Sequence, residues 1–285
     1  MSGLDPAARD AAVRRAFEPV RAMVQRSPSR ADREYFDRHE HRLRRTPERL
    51  MELVPAGARV LDVGSHFLHT AAAVQALGYS VQGIDVPAFA GMPLVVDRAR
   101  SLGLTNHATT LEAFAEDDAL GERVGPVDAV LFCEILEHIT FNPVRFWQRI
   151  HGLLPVGGIV YLTTPNAFKL LSVLGAARGL ATGTRLGLNV RQIFAHATYG
   201  HHWKEFSASE IRQYFAMLSP DFDVRVRRFH VREAATPFAG QGAVGRMKEA
   251  VRQVGNASGL FAEQLEAVVT LRARTPWTTG APSHD

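Results

Sequence analysis

Four short β-branched runs, each followed by a segment of helical character and two of them carrying an aspartate near their end, constrain this chain most. The runs are Arg59-Val-Leu-Asp-Val-Gly64, Ser80-Val-Gln-Gly-Ile-Asp85, Val127-Asp-Ala-Val-Leu-Phe-Cys133 and Ile159-Val-Tyr-Leu-Thr163. A weaker strand is expected at residues 107–110. The third run is apolar enough to be buried on both faces, as a central strand is. Helices are expected at residues 69–77, closed by Gly78, at 93–102, stopping at Gly103, and at 144–154 before the turn Pro155-Val-Gly-Gly158. Alternating β and α units predict an α/β fold with a mainly parallel sheet and right-handed crossovers.

The flanks add helices and an edge. Residues 6–53 read as helices broken at Ser27-Pro28-Ser29, where proline removes a donor. Residues 165–203 carry no strand pattern and read as an insertion with one apolar helix at 168–180. Ser207, with Glu210 three residues on, signals a capping box and a helix at 207–215. Two more strands near 222–229 and 267–273 flank a helix around 246–253. They end a seven-stranded sheet as an antiparallel pair.

At 285 residues the chain suits one large domain with appendages. The net charge of +4 comes from residues 1–50, which hold twelve Arg against eight Asp plus Glu. Interleaved signs read as a solvated helix face, and with no zinc-finger spacing and no aromatic RNA-binding strand, no nucleic-acid partner is expected. The charged N-terminus has no signal-peptide core, no stretch is apolar and long enough to span a bilayer, and Cys133 is the single cysteine. A cytoplasmic location is expected.

Ligands of open α/β sheets sit at the carboxyl ends of the strands, where strand order reverses. Asp62-Val-Gly64 ends the first strand, and its glycine lets a ligand approach the backbone. Asp85 ends the second, 21 residues after Gly64, the spacing at which a carboxylate accepts ribose hydroxyls in dinucleotide folds.

Together these pieces resemble the class I S-adenosylmethionine (SAM)-dependent methyltransferases over residues 60 to about 215. The resemblance rests on Val60-Leu-Asp-Val-Gly64, Val81-Gln-Gly-Ile-Asp85, the string from Val127 through Glu134-Ile-Leu-Glu-His138, Leu154-Pro-Val-Gly-Gly158 and Thr163-Thr-Pro-Asn166. Glu134-Ile-Leu-Glu-His138 and His201-His-Trp-Lys-Glu-Phe206 look most like the ubiquinone-biosynthesis O-methyltransferases and related bacterial small-molecule or glycan methyltransferases.

The resemblance implies a Rossmann-like fold and SAM as cofactor. It divides the chain into a helical leader or cap at 1–54, a SAM-binding domain at 55–275 with a lid-like insertion at 165–203, and a flexible tail at 276–285. Its cofactor residues are Arg42, Asp62, Gly64, His66, Asp85, Leu111 and Cys133: Gly64 contacts the methionine end, Asp85 clamps the ribose, Arg42 reaches the cofactor carboxylate and Leu111 or Glu112 lines the adenine pocket. The chain departs from the family where Gly-x-Gly-x-Gly is usual, since it reads Gly64-Ser-His66-Phe-Leu68. His66 either points away from SAM or contacts it.

The expected activity is methyl transfer to a hydroxyl oxygen of a small-molecule, sugar or lipid-linked acceptor. Such an acceptor needs a base near neutral pH, for which His138 and His202 are the candidates; a structural hydrogen bond is the other reading of His138. Glu134, Glu137 and His138 have i, i+3, i+4 spacing and would share one helix face, where the resembling quinone enzymes can bind Mg2+. One histidine among two glutamates is an imperfect magnesium cage. Residues 168–180, apolar with basic punctuation, offer a peripheral membrane contact, the alternative being packing on the domain. Alternatives for the whole chain are an N- or C-methyltransferase, a nucleotide-binding oxidoreductase, and a SAM-fold binding protein without catalysis.

Overall fold

The computed structural model describes residues 5–182, 202–229, 242, 243, 246 and 262–280. Seven strands form one sheet: β1 (Arg59–Val63), β2 (Ser80–Asp85), β3 (Thr105–Ala108), β4 (Ala129–Cys133), β5 (Ile159–Pro165), β6 (Phe222–Phe229) and β7 (Gln264–Leu271). Their order is β3-β2-β1-β4-β5-β7-β6. β1 to β5 pair in parallel, and β7 runs antiparallel to both neighbours. The Rossmann-like sheet with an antiparallel C-terminal pair is therefore present.

Alternation along the central strands sorts the two faces. Leu61, Val63, Val130, Phe132, Val160 and Leu162 point to one side. There they pack on α6 (Leu111–Glu116), α7 (Asp118–Val124), α8 (Val144–Leu153) and α10 (Ala208–Leu218). Val60, Ala129, Leu131, Ile159 and Tyr161 point to the other, with α1 (Pro6–Gln25), α2 (Arg30–Leu53) and α3 (His69–Ala76). Each fully buried aliphatic side chain contributes about 1.5–3 kcal/mol. Two further helices, α4 (Pro87–Ala90) and α5 (Pro93–Leu102), follow β2.

The leader is continuous with the main core. Val13, Phe17 and Val20 of α1 and Phe36, Leu43 and Leu50 of α2 belong to the same cluster as Val60 and Leu131. Ser29 caps α2 by accepting from the Asp32 N–H at 3.3 Å. The predicted capping box at Ser207 and Glu210 is formed.

In the expected insertion, α9 occupies Leu170–Thr182. Residues 183–201, and the helix expected around 246–253 except Arg246, lie outside the described residues. The stretch expected to be a free tail is anchored at its start. Trp277 packs against the core, and the Thr279 hydroxyl donates to the Leu218 carbonyl at 2.8 Å. Among the described residues no helix is long and apolar enough to cross a membrane.

Candidate active site

Strand order reverses between β1 and β4, so the connections leaving their carboxyl ends turn to opposite faces of the sheet and leave a cleft. It is lined by Arg42 and Thr46 of α2, Asp62 and Gly64 at the end of β1, His66 beyond it and Cys133 at the end of β4. Arg42, Asp62, Gly64, His66 and Cys133 are thus brought together as the sequence predicts. Leu111, by contrast, begins α6 and packs against the core on the far face, away from this wall.

After β1 the backbone alternates into the left-handed region: Gly64 has φ 75°, His66 46° and Leu68 63°. These are the positions of the three glycines of Gly-x-Gly-x-Gly. The chain keeps the loop conformation and lacks two of the residues that make it easy, at about 1–2 kcal/mol for each side chain forced there. Gly64 combines its positive φ with a close approach: a Cβ would stand 2.1 Å from the end of the Ile135 side chain, which would have to shift. Gly83 on β2 serves the loop from below, since a Cβ there would come within 2.9 Å of Ser65.

Asp85 fixes the same loop. Its carboxylate accepts the His66 N–H at 2.6 Å and the Val86 N–H at 2.7 Å, two bonds that favour the charged form against burial, which still pushes its pKa up. Each oxygen keeps a free lone pair for a hydroxyl. Asp62 is 4 % exposed, and its Oδ2 has no partner among the described residues. Burial and the neighbouring Asp85 charge raise its pKa to about 7. The His66 ring stands 4.3 Å from Tyr35 and 4.7 Å from Phe89, its Nδ1 is buried without a partner, and burial lowers its pKa to about 4. Asp62 Oδ2, unpaired in the cleft among the described residues, suits an ammonium, and Asp85, behind the loop, keeps lone pairs that suit a ribose, as SAM would present.

Arg42 faces this cleft with its charge engaged. Its Nη1 pairs with Glu134 at 2.9 Å, and its Nη2 donates to the Tyr35 hydroxyl at 3.2 Å. Desolvation pushes the Cys133 thiol up to about 12, with Asp62 adding to it, so this half-buried side chain is a wall of the cleft rather than a nucleophile.

The end of β4 departs from the expected helix. Glu134 is left-handed, at φ 57°, and a 3-10 turn follows at Leu136–His138. Glu134 therefore leaves the face it was expected to share and turns to Arg42 and to Gln264, whose Nε2 donates to it at 3.3 Å. The donors that do converge are Glu137, His138 and His202, within 4.8 Å of one another. The two histidine rings meet edge to face at 5.0 Å. The buried Glu137 carboxylate accepts from the Thr164 hydroxyl at 2.9 Å; burial and Glu134 raise its pKa to about 8. One oxygen and two nitrogens do not make the oxygen-rich octahedral set that Mg2+ requires. His201 lies outside the described residues.

Sequence reasoning missed Tyr35 and Thr46, although a signal exists. Tyr35, His39, Arg42 and Thr46 recur at i, i+4, i+7 and i+11, one stripe of α2. It gave no role to Thr164, although the Thr163-Thr-Pro-Asn166 string contains it, and it missed Gln264, which reaches the site from β7 and leaves no local pattern.

Comparisons with known proteins agree with this geometry. A methyltransferase-domain family matches residues 35–219. A ubiquinone biosynthesis O-methyltransferase of Xanthomonas axonopodis pv. citri is 33% identical over 162 residues, 54% of this chain and 58% of that protein. The chain spans a little over half the length of such relatives. Among solved structures, a SAM-dependent methyltransferase from Archaeoglobus fulgidus superposes with a TM-score of 0.50 at 13% identity, covering 83% of this chain and 98% of that one. The magnesium protoporphyrin IX methyltransferase of Synechocystis, with bound SAH, gives 0.51 at 14% identity, covering 91% and 93%. These two likenesses are of fold. With its strand order, its β1 loop and the matched span taken together, the chain belongs to the methyltransferase family and carries the class I SAM-dependent methyltransferase fold.

Proposed function

We propose that the protein transfers the methyl group of SAM to a hydroxyl oxygen of a small-molecule, sugar or lipid-linked acceptor. The observation that carries this reading is the meeting of His138 and His202 beside Glu137 at the end of β4, the strand whose last residue, Cys133, walls the cofactor cleft. The similarity to a ubiquinone biosynthesis O-methyltransferase supports an oxygen acceptor.

SAM supplies an electrophilic methyl on a sulfonium. The residues of this chain do the rest. Asp62 accepts from the cofactor ammonium, Asp85 holds the ribose hydroxyls and Arg42 faces the carboxylate. Gly64 keeps the backbone clear behind them, and His66 closes the cleft under Tyr35. His138 takes the acceptor hydroxyl proton at a ring nitrogen, and His202 orients it or shares that proton. Positioning and removal of this proton lower the barrier; a well-placed base contributes about 10²–10⁴-fold. Phe168, Leu180 and Trp203 are exposed apolar side chains, which suits an acceptor with an apolar part or a peripheral lipid contact.

The test is a screen of labelled methyl transfer from SAM into hydroxylated aromatics, sugars and lipid extracts, followed by the pH profile of the best acceptor. The reading expects label on oxygen and, in His138→Ala, loss of the acid-side limb that protonation of the base produces. Label on nitrogen or carbon, or an unchanged profile in that variant, contradicts it.

A further inference from the structure

The β1 loop poses a physical problem that its own residues do not solve. His66 and Leu68 sit in left-handed conformations that side chains disfavour, and between them Phe67 must hold its carbonyl in one direction. Such strain persists only where the surroundings over-determine it. The surroundings here include a buried ionic cluster remote in sequence: Asp32 of α2 is fully buried, His69 of α3 is 2 % exposed and Arg98 of α5 is 4 % exposed.

Arg98 grips Asp32 with a fork, Nη2 to Oδ2 at 2.7 Å and Nη1 to Oδ1 at 3.2 Å. The same Nη1 donates to the Phe67 carbonyl at 2.6 Å. His69 Nε2 shares Asp32 Oδ1 with Arg98 Nη1, at 2.8 Å. The guanidinium therefore ties the peptide between the two strained residues to two helices at once. Hydrogen bonds from His69 and Arg98 outweigh the burial of Asp32 and keep its carboxylate charged. A surface position would satisfy these groups with water; burying an ion pair is favourable only where geometry and additional hydrogen bonds complete it. The Phe67 carbonyl is that additional bond.

We infer that Arg98, held by Asp32 and His69, is a positioning residue for the cofactor loop, and that this tether replaces the conformational freedom of the two glycines the loop lacks. It holds the His66 N–H toward Asp85 and leaves Asp62 and Gly64 open to the cofactor. The functional side of the claim rests on SAM binding in this cleft; the structural side does not.

Two measurements on the full chain test it, in two loop backgrounds. Arg98→Lys keeps a charge beside Asp32 but ends short of the fork that spans both Asp32 and Phe67. Amide exchange in the peptide 64–72 is expected to quicken about tenfold in this variant, with β4 unchanged, and S-adenosylhomocysteine (SAH) affinity to fall about tenfold. In a His66→Gly background, where one strained residue is relieved, both losses shrink below about threefold. Arg98→Gln, shorter than lysine and uncharged, reaches neither Asp32 nor the Phe67 carbonyl, so loop exchange is expected to quicken at least as much as in Arg98→Lys, with the same relief in the His66→Gly background. Equal losses in the two backgrounds, or exchange that quickens throughout the sheet, would overturn the inference. Should the wild type bind no SAH, the cofactor reading fails, while the exchange of the loop still decides for or against the tether.

Discussion

At the end of β1 the chain turns through Gly64, His66 and Leu68 in left-handed conformations; at the end of β4 it makes a similar turn through Glu134. The first turn is clamped from below by Asp85 and from the side by Arg98, and it leaves Asp62 and His66 with unpartnered buried atoms. The second is held by Arg42 and Gln264, leaves one oxygen each of Glu134 and Glu137 buried without a partner among the described residues, and leads to the half-buried His138 and the exposed His202. On the proposed function, one strand end serves a ligand of fixed chemistry, and the other presents proton-transfer groups to a partner set by neighbouring segments. A cofactor shared across a family and an acceptor peculiar to each member require this division.

Substitutions at the two ends should separate accordingly. The largest effect is expected at β4: His138→Ala lowers kcat by about 10²–10⁴-fold while SAH affinity by calorimetry stays within about threefold. A matching loss of SAH affinity would merge the two regions and break the comparison. At β1, Asp85→Ala weakens SAH by about 100-fold, because it removes the hydroxyl acceptor and strands the His66 and Val86 N–H groups, at about 1–3 kcal/mol each.

Asp62→Asn sharpens the contrast by dividing stability from binding. The folded pKa of about 7 lies above the ordinary value of 3.8, so the penalty of ionising this buried acid is absent below about pH 4 and is fully felt above pH 7. The variant should gain up to about 2–4 kcal/mol over wild type at pH 8 in denaturant unfolding and little at pH 4. Its SAH affinity should fall about tenfold. A uniform stability change across pH would show that Asp62 does not titrate there. The smallest expected effect is at His202, where alanine lowers kcat about tenfold and leaves cofactor affinity unchanged.

Much of this architecture is legible in the sequence, because period and punctuation are local. β2, α5 and β6 fall where the β-branched runs, Pro93 and Gly103 place them. β7 is displaced, Gln264–Leu271 against the expected 267–273: it is buried on both faces, and Glu266, paired with Arg45 and Arg49 inside the protein, breaks the apolar signal. At the site, Asp62, Gly64, Asp85 and His138 are readable from strand ends. The actual course of Glu134 is not, since i, i+3, i+4 spacing assumes a helix and a single left-handed residue redirects the side chain. Asp32 and Arg98 are invisible for another reason: their roles arise from a contact across the sequence, between residues 66 positions apart.

The central claim is that the cleft between β1 and β4 holds SAM through the β1 end. A calorimetric titration of wild type and Asp85→Ala with SAH, and of wild type with NADH, tests it most directly. The account predicts a wild-type Kd for SAH on the order of 1–100 μM, about 100-fold weaker binding in Asp85→Ala, and no heat with NADH. Absence of SAH binding, or affinity that Asp85→Ala leaves intact, would contradict it.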